Sequence, residues 1–395
     1  MVSSTPTPSV RNWGSSGLAF LTGRPDGPAD FSRANVLDRA ERVVADAAML
    51  LAGRAALLEL RRGGRVSAGG ATRLLAARDG WCAITLSRPD DVAAVPALLH
   101  ADDVPANPWP TLQRWVAAQP VAAVVERAGL LDIPAAALGE AAATAPRIRP
   151  LGPKAPTAPK APEPLNTGLL VADLSSMWAG PLCGHLLARS GATVVKVESP
   201  SRPDGTRAGE RGFFDWINTG KLSYCVDFDR QVNELRALLA VADVVIEGSR
   251  PAALARRGLG PKDIEPRAGR IWLRIAGHDG CPGRPAFGDD AAVAGGLVGG
   301  SAGNPVFCGD AIADPLTGLA AAQAVNESRG RGGGELIEVS LAAVAASYAA
   351  LPTIPNCDHP APAPTIPPAA KPASELGADN DAVRRLIAER RCLPC

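Results

Sequence analysis

Two aspartates, Asp310 and Asp314, lie just before a predicted helix that runs from Leu316 to Val325. Asp314 followed by Pro315 fits a helix N-cap with a first-turn proline. A helix N-terminus also keeps a carboxylate ionised, and an ionised carboxylate can act as a nucleophile that forms a covalent intermediate. A capping role and a nucleophilic role are therefore both open for Asp314. Asp310 is the second candidate nucleophile, and a role in a turn is the alternative for it.

The other chemistry-bearing residue types form no clear pattern. None of His100, His185 and His359 lies in a motif, and the lone His278 is typical of a packed or hydrogen-bonded histidine. The eight cysteines are scattered, and the single CxxC, Cys392 to Cys395, fits a frayed terminus better than a zinc or redox site. We expect no metal site. A GxGxxG turn and a GxxxxGK[ST] loop are both absent from the sequence, which disfavours the usual dinucleotide site and a P-loop.

The charge balance and the apolar runs limit the possible partners. The chain has 41 basic and 40 acidic residues and a net charge of +1, which gives no support for a nucleic-acid or anionic-membrane partner. Glycine, proline or a charge interrupts every apolar run before it could span a membrane. The N-terminal residues lack the pattern of a secretory signal, so we expect a cytoplasmic protein.

Strand and helix patterns alternate after Gly168. The predicted strands are 169–174, 194–198, 223–227, 243–247 and 271–275, and the predicted helices between them include 182–188 and 232–241. Such alternation predicts an α/β fold with a doubly wound, mostly parallel, Rossmann-like sheet, plus a smaller α+β domain. Sheets of this kind bind ligands beyond the carboxyl ends of their strands.

Composition divides the chain into five stretches. The five stretches are a small α+β domain at 1–145, with a hairpin at Asp79-Gly80; a linker at 146–166; a large domain at 167–350; a return linker at 351–373; and a C-terminal helix within 374–395. The two linkers are rich in proline and cannot pack as helix or central strand.

Several motifs resemble those of the family III CoA-transferases, the group that contains formyl-CoA and carnitine CoA-transferases and α-methylacyl-CoA racemases. They are Val171-Ala-Asp-Leu-Ser-Ser-Met-Trp-Ala-Gly-Pro181, Leu186 to Glu198, Asn218 to Ser223, Ala242 to Leu259, Ile275 to Gly280 and Ile312 to Leu319. The motifs occur in the family's order, so a chance match is improbable.

The resemblance implies a reaction in which coenzyme A moves from an acyl-CoA to a carboxylic acid acceptor. Asp314, four residues before Gly318, is implied as the nucleophile, through an aspartyl mixed anhydride and an enzyme–CoA thioester. Coenzyme A and acyl-CoA are then substrates, and no permanently bound cofactor is expected. An intertwined homodimer is also implied.

The same resemblance assigns positions around CoA. Met177 and Trp178 are implied at its pantetheine or thiol end, although Trp178 could equally be a packing residue. The positions implied near the nucleotide are Val226, Gly248, Ser249 and Arg256. Lys221 and Arg207 are further cation candidates because of their charge. A solvated helix position is the alternative for Arg256.

A weaker similarity indicates a rearranged domain order. Ser67-Ala-Gly69-Gly70 and Asp79-Gly-Trp81 resemble the glycine loop and hairpin of the family's small domain, which there follows the catalytic aspartate and here precedes it. Gly69 and Gly70 are implied to stabilise oxyanions and to shield the anhydride from water. Leu376 to Val383 resembles the family's closing helix.

Two other functions remain open. A racemase-like isomerase would need a histidine in the segment Arg284 to Asp290, where this chain has none. Asp289 and Asp290 are found there instead; they end a strand or hydrogen-bond the substrate end, and a loop role is the alternative. A non-catalytic CoA-binding protein is the third possibility.

Overall fold

The computed structural model describes residues 7–156, 165–248 and 251–392. The described residues form twelve strands: β1 (Thr72–Ala76), β2 (Trp81–Thr85), β3 (Ala135–Ala137), β4 (Arg147–Pro150), β5 (Leu170–Asp173), β6 (Thr193–Glu198), β7 (Leu222–Cys225), β8 (Val244–Glu247), β9 (Ile271–Ala276), β10 (Val298–Ser301), β11 (Asn304–Phe307) and β12 (Glu335–Ser340). The hairpin predicted at Asp79-Gly80 is confirmed as β1 and β2, with Ala76 opposite Trp81.

Fifteen α-helices connect these strands in the described ranges. They are α1 (Pro8–Ser15), α2 (Asn35–Glu41), α3 (Ala47–Leu57), α4 (Pro89–Ala93), α5 (Val95–Leu99), α6 (Trp109–Ala117), α7 (Val121–Leu130), α8 (Ala179–Arg189), α9 (Arg211–Asn218), α10 (Val232–Val241), α11 (Pro251–Ala255), α12 (Gly288–Ala294), α13 (Ala313–Gly330), α14 (Leu341–Ala349) and α15 (Asn380–Cys392). None of them is long and apolar enough to span a membrane.

The chain divides into two compact units, each built from separated segments. Unit 1 comprises residues 1–145, 277–316 and 340–367, and unit 2 comprises residues 146–276, 317–339 and 368–395. The division falls inside α13, after Leu316.

Unit 2 contains the mostly parallel sheet that the sequence predicts, and the α/β fold class is confirmed. Its strand order is β4-β12-β9-β8-β5-β6-β7. The pairs β5–β6, β6–β7, β5–β8 and β8–β9 are parallel, and β4 lies antiparallel to β12 at the edge. Apart from β4, the order is that of a Rossmann sheet, which reverses direction beside its first strand, β5.

Burial explains why these segments form central strands. All four residues of β5 and all four of β8 are buried, as expected for strands covered on both faces. Leu238 of α10 and Val383 of α15 pack in the same apolar cluster as Ala172 of β5. The C-terminal helix thus completes the core of unit 2.

Unit 1 is organised around the antiparallel sheet β1-β2-β3 and the hairpin β10–β11. Leu74 of β1 and Ala83 of β2 pack with Val293 of α12 and Phe307 of β11 in one apolar cluster. The hairpin sheet of the N-terminal segment therefore shares its core with the segment that carries Asp314.

Candidate active site

Asp314 lies in the first turn of α13, and its side chain is only partly buried. The helix begins at Ala313, three residues before the predicted start, so the expected N-cap position of Asp314 is wrong. The carboxylate instead accepts a hydrogen bond from the backbone N–H of Gly288, with a distance of 3.1 Å between Gly288 N and Asp314 Oδ2. It is therefore oriented by another segment and keeps exposed surface.

Gly288 begins α12 and lies very close to the Asp314 segment. A Cβ atom at this position would lie 2.2 Å from the carbonyl oxygen of Ala311 and 2.5 Å from Asp314 Oδ2. Real Cβ atoms do not approach other atoms so closely, so only glycine allows this backbone to donate to the carboxylate. The sequence prediction missed Gly288, although its place directly before two aspartates was a usable signal.

Asp289 and Asp290 connect this segment to the β1–β2 hairpin. Thr85 Oγ1 donates to Asp290 Oδ1 at 2.9 Å, and Thr72 Oγ1 donates to Asp289 Oδ2 at 3.4 Å. Asp289 Oδ1 also accepts the N–H of Ala311 at 3.0 Å. Both aspartates therefore order the polypeptide around Asp314, and the simple loop role is excluded.

The pKa values of these carboxyl groups are raised because the groups are withdrawn from water and repel one another. Burial, followed by the charge of Asp289, raises the pKa of Asp314 to about 7, while Arg54 opposes the rise. Burial also raises the pKa of Asp290 to about 7. For Asp289, burial and the charge of Asp310 raise the pKa to about 6. Asp314 therefore ionises as the pH rises through about 7.

Asp310, the alternative nucleophile, is buried and already paired. Its two oxygens lie 2.7 Å from Nη1 of Arg54, and 1% of the residue is exposed. Because the ion pair occupies both oxygens, Asp310 is a structural residue that holds Arg54 near the other carboxylates. No local sequence signal pointed to Arg54, which is 256 residues away along the chain.

The predicted glycine loop forms a tight turn directly before β1. Gly70 has a φ of +79°, and its N–H donates to the carbonyl of Ser67 at 2.8 Å. That N–H is committed to the turn, so Gly70 does not fit the expected role of oxyanion donor. Gly69 lies beside Arg54, because a Cβ at this position would be 4.0 Å from Arg54 Nη2.

In unit 2, Met177 and Trp178 follow the carboxyl end of β5 in different environments. Met177 is 42% exposed and has a φ of +72°, which is uncommon for a residue other than glycine. Trp178 is 3% exposed and packs edge-on against Phe213, with ring centroids 5.4 Å apart. Met177 is therefore available to a ligand, whereas Trp178 is a packing residue.

A buried ion pair fixes the backbone of Met177. Asp204 accepts the Met177 N–H at 3.2 Å and lies 2.7 Å from Lys196 Nζ, and both charged residues are 1% exposed. Lys196 also donates to the carbonyl of Ser175 at 3.0 Å. The turn after β5 is thus held from both sides. The sequence prediction missed Asp204 in this role.

The structure does not support Lys221 and Arg207 as phosphate-binding cations. Lys221 is 4% exposed, and its ammonium group donates to Asp173, the Pro181 carbonyl and Asn218. These three acceptors use all the donors of an ammonium group. Arg207 forms a bidentate ion pair with Glu198.

The remaining positions expected near the nucleotide differ in accessibility. Val226 is fully buried in the core of unit 2, which excludes its side chain from a ligand contact. Gly248, after β8, and Arg256, after α11, are exposed. Ser249 lies outside the described residues.

His278 is a buried histidine with a low pKa. It is 6% exposed, and burial followed by the positive charge of Arg284 lowers its pKa to about 4. The ring is therefore neutral at physiological pH, in agreement with the packing role expected from the sequence.

Comparison with known proteins identifies the family. The family model described as CoA-transferase family III matches residues 167–366, just over half of the chain. The chain belongs to CoA-transferase family III. This match includes Asp314 and Met177 but not the glycine loop of residues 67–70.

The curated relatives of this CoA-transferase family III chain match part of their length. An acyl-CoA transferase of Fusarium pseudograminearum is 35% identical over 178 residues, which are 39% of each chain. A succinyl-CoA:glutarate CoA-transferase of Mus musculus is 34% identical over 175 residues, 40% of each chain. The chain thus spans about two fifths of the length of these relatives.

A solved structure from Mycobacterium tuberculosis, described as a hypothetical protein, is 30% identical to this chain. The similarity covers 48% of this chain and 56% of the other, with a TM-score of 0.42.

Proposed function

We propose that this protein is an acyl-CoA:carboxylate CoA-transferase in which Asp314 is the nucleophile. The observation that carries the proposal is the state of Asp314: a partly exposed carboxylate, oriented by the Gly288 N–H, within the part of the chain matched by the family model. The relatives named as CoA-transferases support the reaction class.

In the first half-reaction, an oxygen of Asp314 attacks the thioester carbonyl of the donor. The C–S bond breaks, and the CoA thiolate leaves with its electron pair, so that a mixed anhydride joins Asp314 to the acyl group. The thiolate then attacks the aspartyl carbonyl, which releases the donor acid as a carboxylate and leaves CoA on Asp314.

In the second half-reaction, the acceptor carboxylate attacks the aspartyl thioester and displaces the thiolate. A new anhydride forms between Asp314 and the acceptor. The thiolate attacks the acceptor's carbonyl, which yields the new acyl-CoA and restores the Asp314 carboxylate. No proton is consumed overall, so the cycle requires an ionised Asp314 but no obligatory acid.

Met177 supplies a candidate apolar contact for the pantetheine arm, and Gly248 and Arg256 remain candidates for the nucleotide end. Gly69 remains the candidate oxyanion donor of the glycine loop. We also propose the intertwined homodimer that the resemblance implies, which sedimentation analysis of the full chain tests.

Trapping the covalent intermediate tests the proposed function. The full chain is incubated with an acyl-CoA and then with hydroxylamine, and the modified peptide is identified by mass spectrometry. We expect an aspartyl hydroxamate at Asp314 and none in Asp314→Asn. A hydroxamate at Asp310, or transfer that persists in Asp314→Asn, would contradict the assignment.

The isomerase alternative has less support, because a neutral, buried His278 is not suited to proton exchange beside Asp314. The isomerase remains a candidate because Asp289 provides a second ionisable group near Asp314. Exchange of the α-proton of a CoA ester with D₂O, without a trapped hydroxamate, would favour the isomerase. Binding without either outcome would favour a non-catalytic CoA-binding protein.

A further inference from the structure

Asp289 and Asp314 are neighbouring carboxylates with exposed surface in unit 1. Ala311 N–H donates to Asp289 at 3.0 Å, and Gly288 N–H donates to Asp314 at 3.1 Å. Each carboxylate is thus held by backbone next to the other, which places the two groups side by side. Asp290 and Asp310 are buried, whereas Asp289 and Asp314 are each partly exposed.

The donors that hold Asp289 do not cancel its charge. Thr72 Oγ1 donates to Asp289 Oδ2 at 3.4 Å, and Ser67 is a second hydroxyl donor. Arg54 attracts Asp289 but forms its ion pair with Asp310. In the described part of the chain, no basic side chain forms an ion pair with Asp289. Its negative charge therefore acts on Asp314, whose pKa it raises.

Asp289 is ionised at the pH at which the nucleophile works. Burial and the charge of Asp310 raise the pKa of Asp289 to about 6, and the pKa of Asp314 is raised to about 7. At pH 8 both carboxylates are ionised, so a substrate that reacts with Asp314 meets a second negative charge.

We propose that Asp289 determines the substrate class, because its carboxylate repels acyl groups that carry a second carboxylate and thereby restricts the enzyme to CoA esters of uncharged monocarboxylic acids. The inference rests on the proposed function, since it requires the acyl carbonyl to reach Asp314. An acyl chain bonded to Asp314 extends only a few atoms, which keeps a distal carboxylate within the range of the Asp289 charge. Like charges at such distances in a partly buried site reduce reactivity by roughly 10- to 100-fold.

A pair of donors of equal chain length tests the inference. Butyryl-CoA and succinyl-CoA both carry four-carbon acyl groups and differ by one terminal carboxylate. The rate at which CoA becomes attached to Asp314 is measured for each donor at pH 8, without acceptor, by mass spectrometry of the full chain. We expect butyryl-CoA to react at least about 10-fold faster than succinyl-CoA.

Two substitutions at the same position separate charge from shape. In Asp289→Asn, the ratio of the butyryl to the succinyl rate should fall toward one, because the repelling charge is lost. In Asp289→Glu, which retains the charge, the ratio should stay high. A ratio near one in the unmodified chain, or a ratio that Asp289→Asn leaves unchanged, overturns the inference. No adduct with either donor would instead contradict the proposed function.

The unmodified chain provides a second readout that needs no folded variant. Lowering the pH from 8 to 5.5 protonates Asp289 and should reduce the ratio of the butyryl-CoA rate to the succinyl-CoA rate. Protonation of Asp314 slows the reaction of both donors by the same factor and therefore leaves this ratio unchanged. Asp290, Asp310 and Arg54 are the other charged groups that face the pair. A ratio that stays constant over this pH range overturns the inference.

Discussion

A carboxylate that attacks a thioester must combine ionisation with access, and the residues around Asp314 serve both needs. The Gly288 N–H favours the charged form of Asp314 and orients one oxygen. Arg54 adds positive charge, yet its ion pair with Asp310 keeps it from forming a closed pair with Asp314, the proposed nucleophile. The neighbouring carboxylates raise the pKa of Asp314, which makes the anion a stronger nucleophile once it forms.

Replacing Gly288 by alanine should remove most of this activity. The added Cβ would lie 2.2 Å from the Ala311 carbonyl and 2.5 Å from Asp314 Oδ2, so the two segments must move apart. A displacement of about 1 Å at a reacting group costs on the order of 100-fold in rate. We expect kcat/KM for transfer to fall by about that factor, measured with any CoA ester that supports trapping.

Gly283→Ala is the matched control for this substitution. Gly283 lies in the same segment of unit 1, and a Cβ there meets no atom within 4 Å. It should keep nearly full activity. Equal activity of the two variants would show that the Gly288 contact with Asp314 has no role in the reaction.

The candidate site could be predicted only where its residues carry local signals. Asp314 is predicted as the nucleophile because Gly318 and the surrounding segment match a known motif. Arg54 and its partner Asp310 are 256 residues apart, so no local pattern could join them. Lys221 and Arg207 were assigned by charge alone, whereas their burial depends on acceptors that the fold brings together.

At the scale of elements, the turn between β5 and α8 has to present Met177 in an unfavourable conformation. A positive φ costs a non-glycine residue roughly 1–2 kcal/mol. The buried pair of Asp204 and Lys196 compensates for this by binding the Met177 N–H and the Ser175 carbonyl. Retaining an exposed methionine at such a position is expected if its side chain contacts a ligand.

Met177→Gly should therefore increase stability and weaken substrate binding. Glycine adopts a φ of +72° without strain, so the free energy of unfolding should rise by about 1 kcal/mol. Loss of the thioether should raise the KM for the CoA ester several-fold. Denaturant unfolding and steady-state kinetics measure the two effects.

His100→Gly is the control, because His100 is an exposed residue with a φ of +52° that ends α5. It should gain similar stability without a change in KM. If Met177→Gly leaves KM unaltered as well, Met177 is not a CoA contact.

Element prediction succeeded where burial leaves a continuous apolar run. Strands β5, β6 and β8 were predicted within one or two residues, because parallel strands covered on both faces consist largely of apolar residues. The exposed edge strand β4 was assigned to a linker, since its sequence Arg147-Ile-Arg-Pro150 has no buried face to produce a pattern. Helix α13 begins three residues earlier than predicted, because its first turn tolerates Pro315: the N–H groups of a first turn have no partner within the helix.

At the scale of the whole molecule, both compact units are assembled from segments that are distant in sequence. Residues 277–316 and 340–367 cluster with the N-terminal 145 residues, although composition groups them with the large domain and its return linker. Composition reports local propensity and cannot reveal such tertiary clustering. The predicted glycine loop and Asp314 belong to the same unit, which is compatible with the domain order that the resemblance predicts.

Arg33 is a side chain that joins all three segments of unit 1. It donates to the carbonyls of Val298 at 2.8 Å, Gly296 at 3.1 Å and Ala349 at 3.0 Å. Replacement by methionine keeps the apolar stem but leaves these carbonyls without a charged donor. A hydrogen bond to a charged group contributes about 1.5–3 kcal/mol, but Arg33 is partly exposed and water can replace part of its three bonds, so we expect Arg33→Met to lose about 2–4 kcal/mol of unfolding free energy.

Equilibrium denaturation measures this loss, and Arg42→Met is the control at an exposed arginine of the same N-terminal segment. The control should change stability by less than about 0.5 kcal/mol. Unit 1 is built from three separated segments, so contacts of the kind that Arg33 makes add to the apolar packing that joins them. Equal effects of the two substitutions would mean that apolar packing alone joins the segments, and that the site around Asp314 does not depend on the Arg33 contacts.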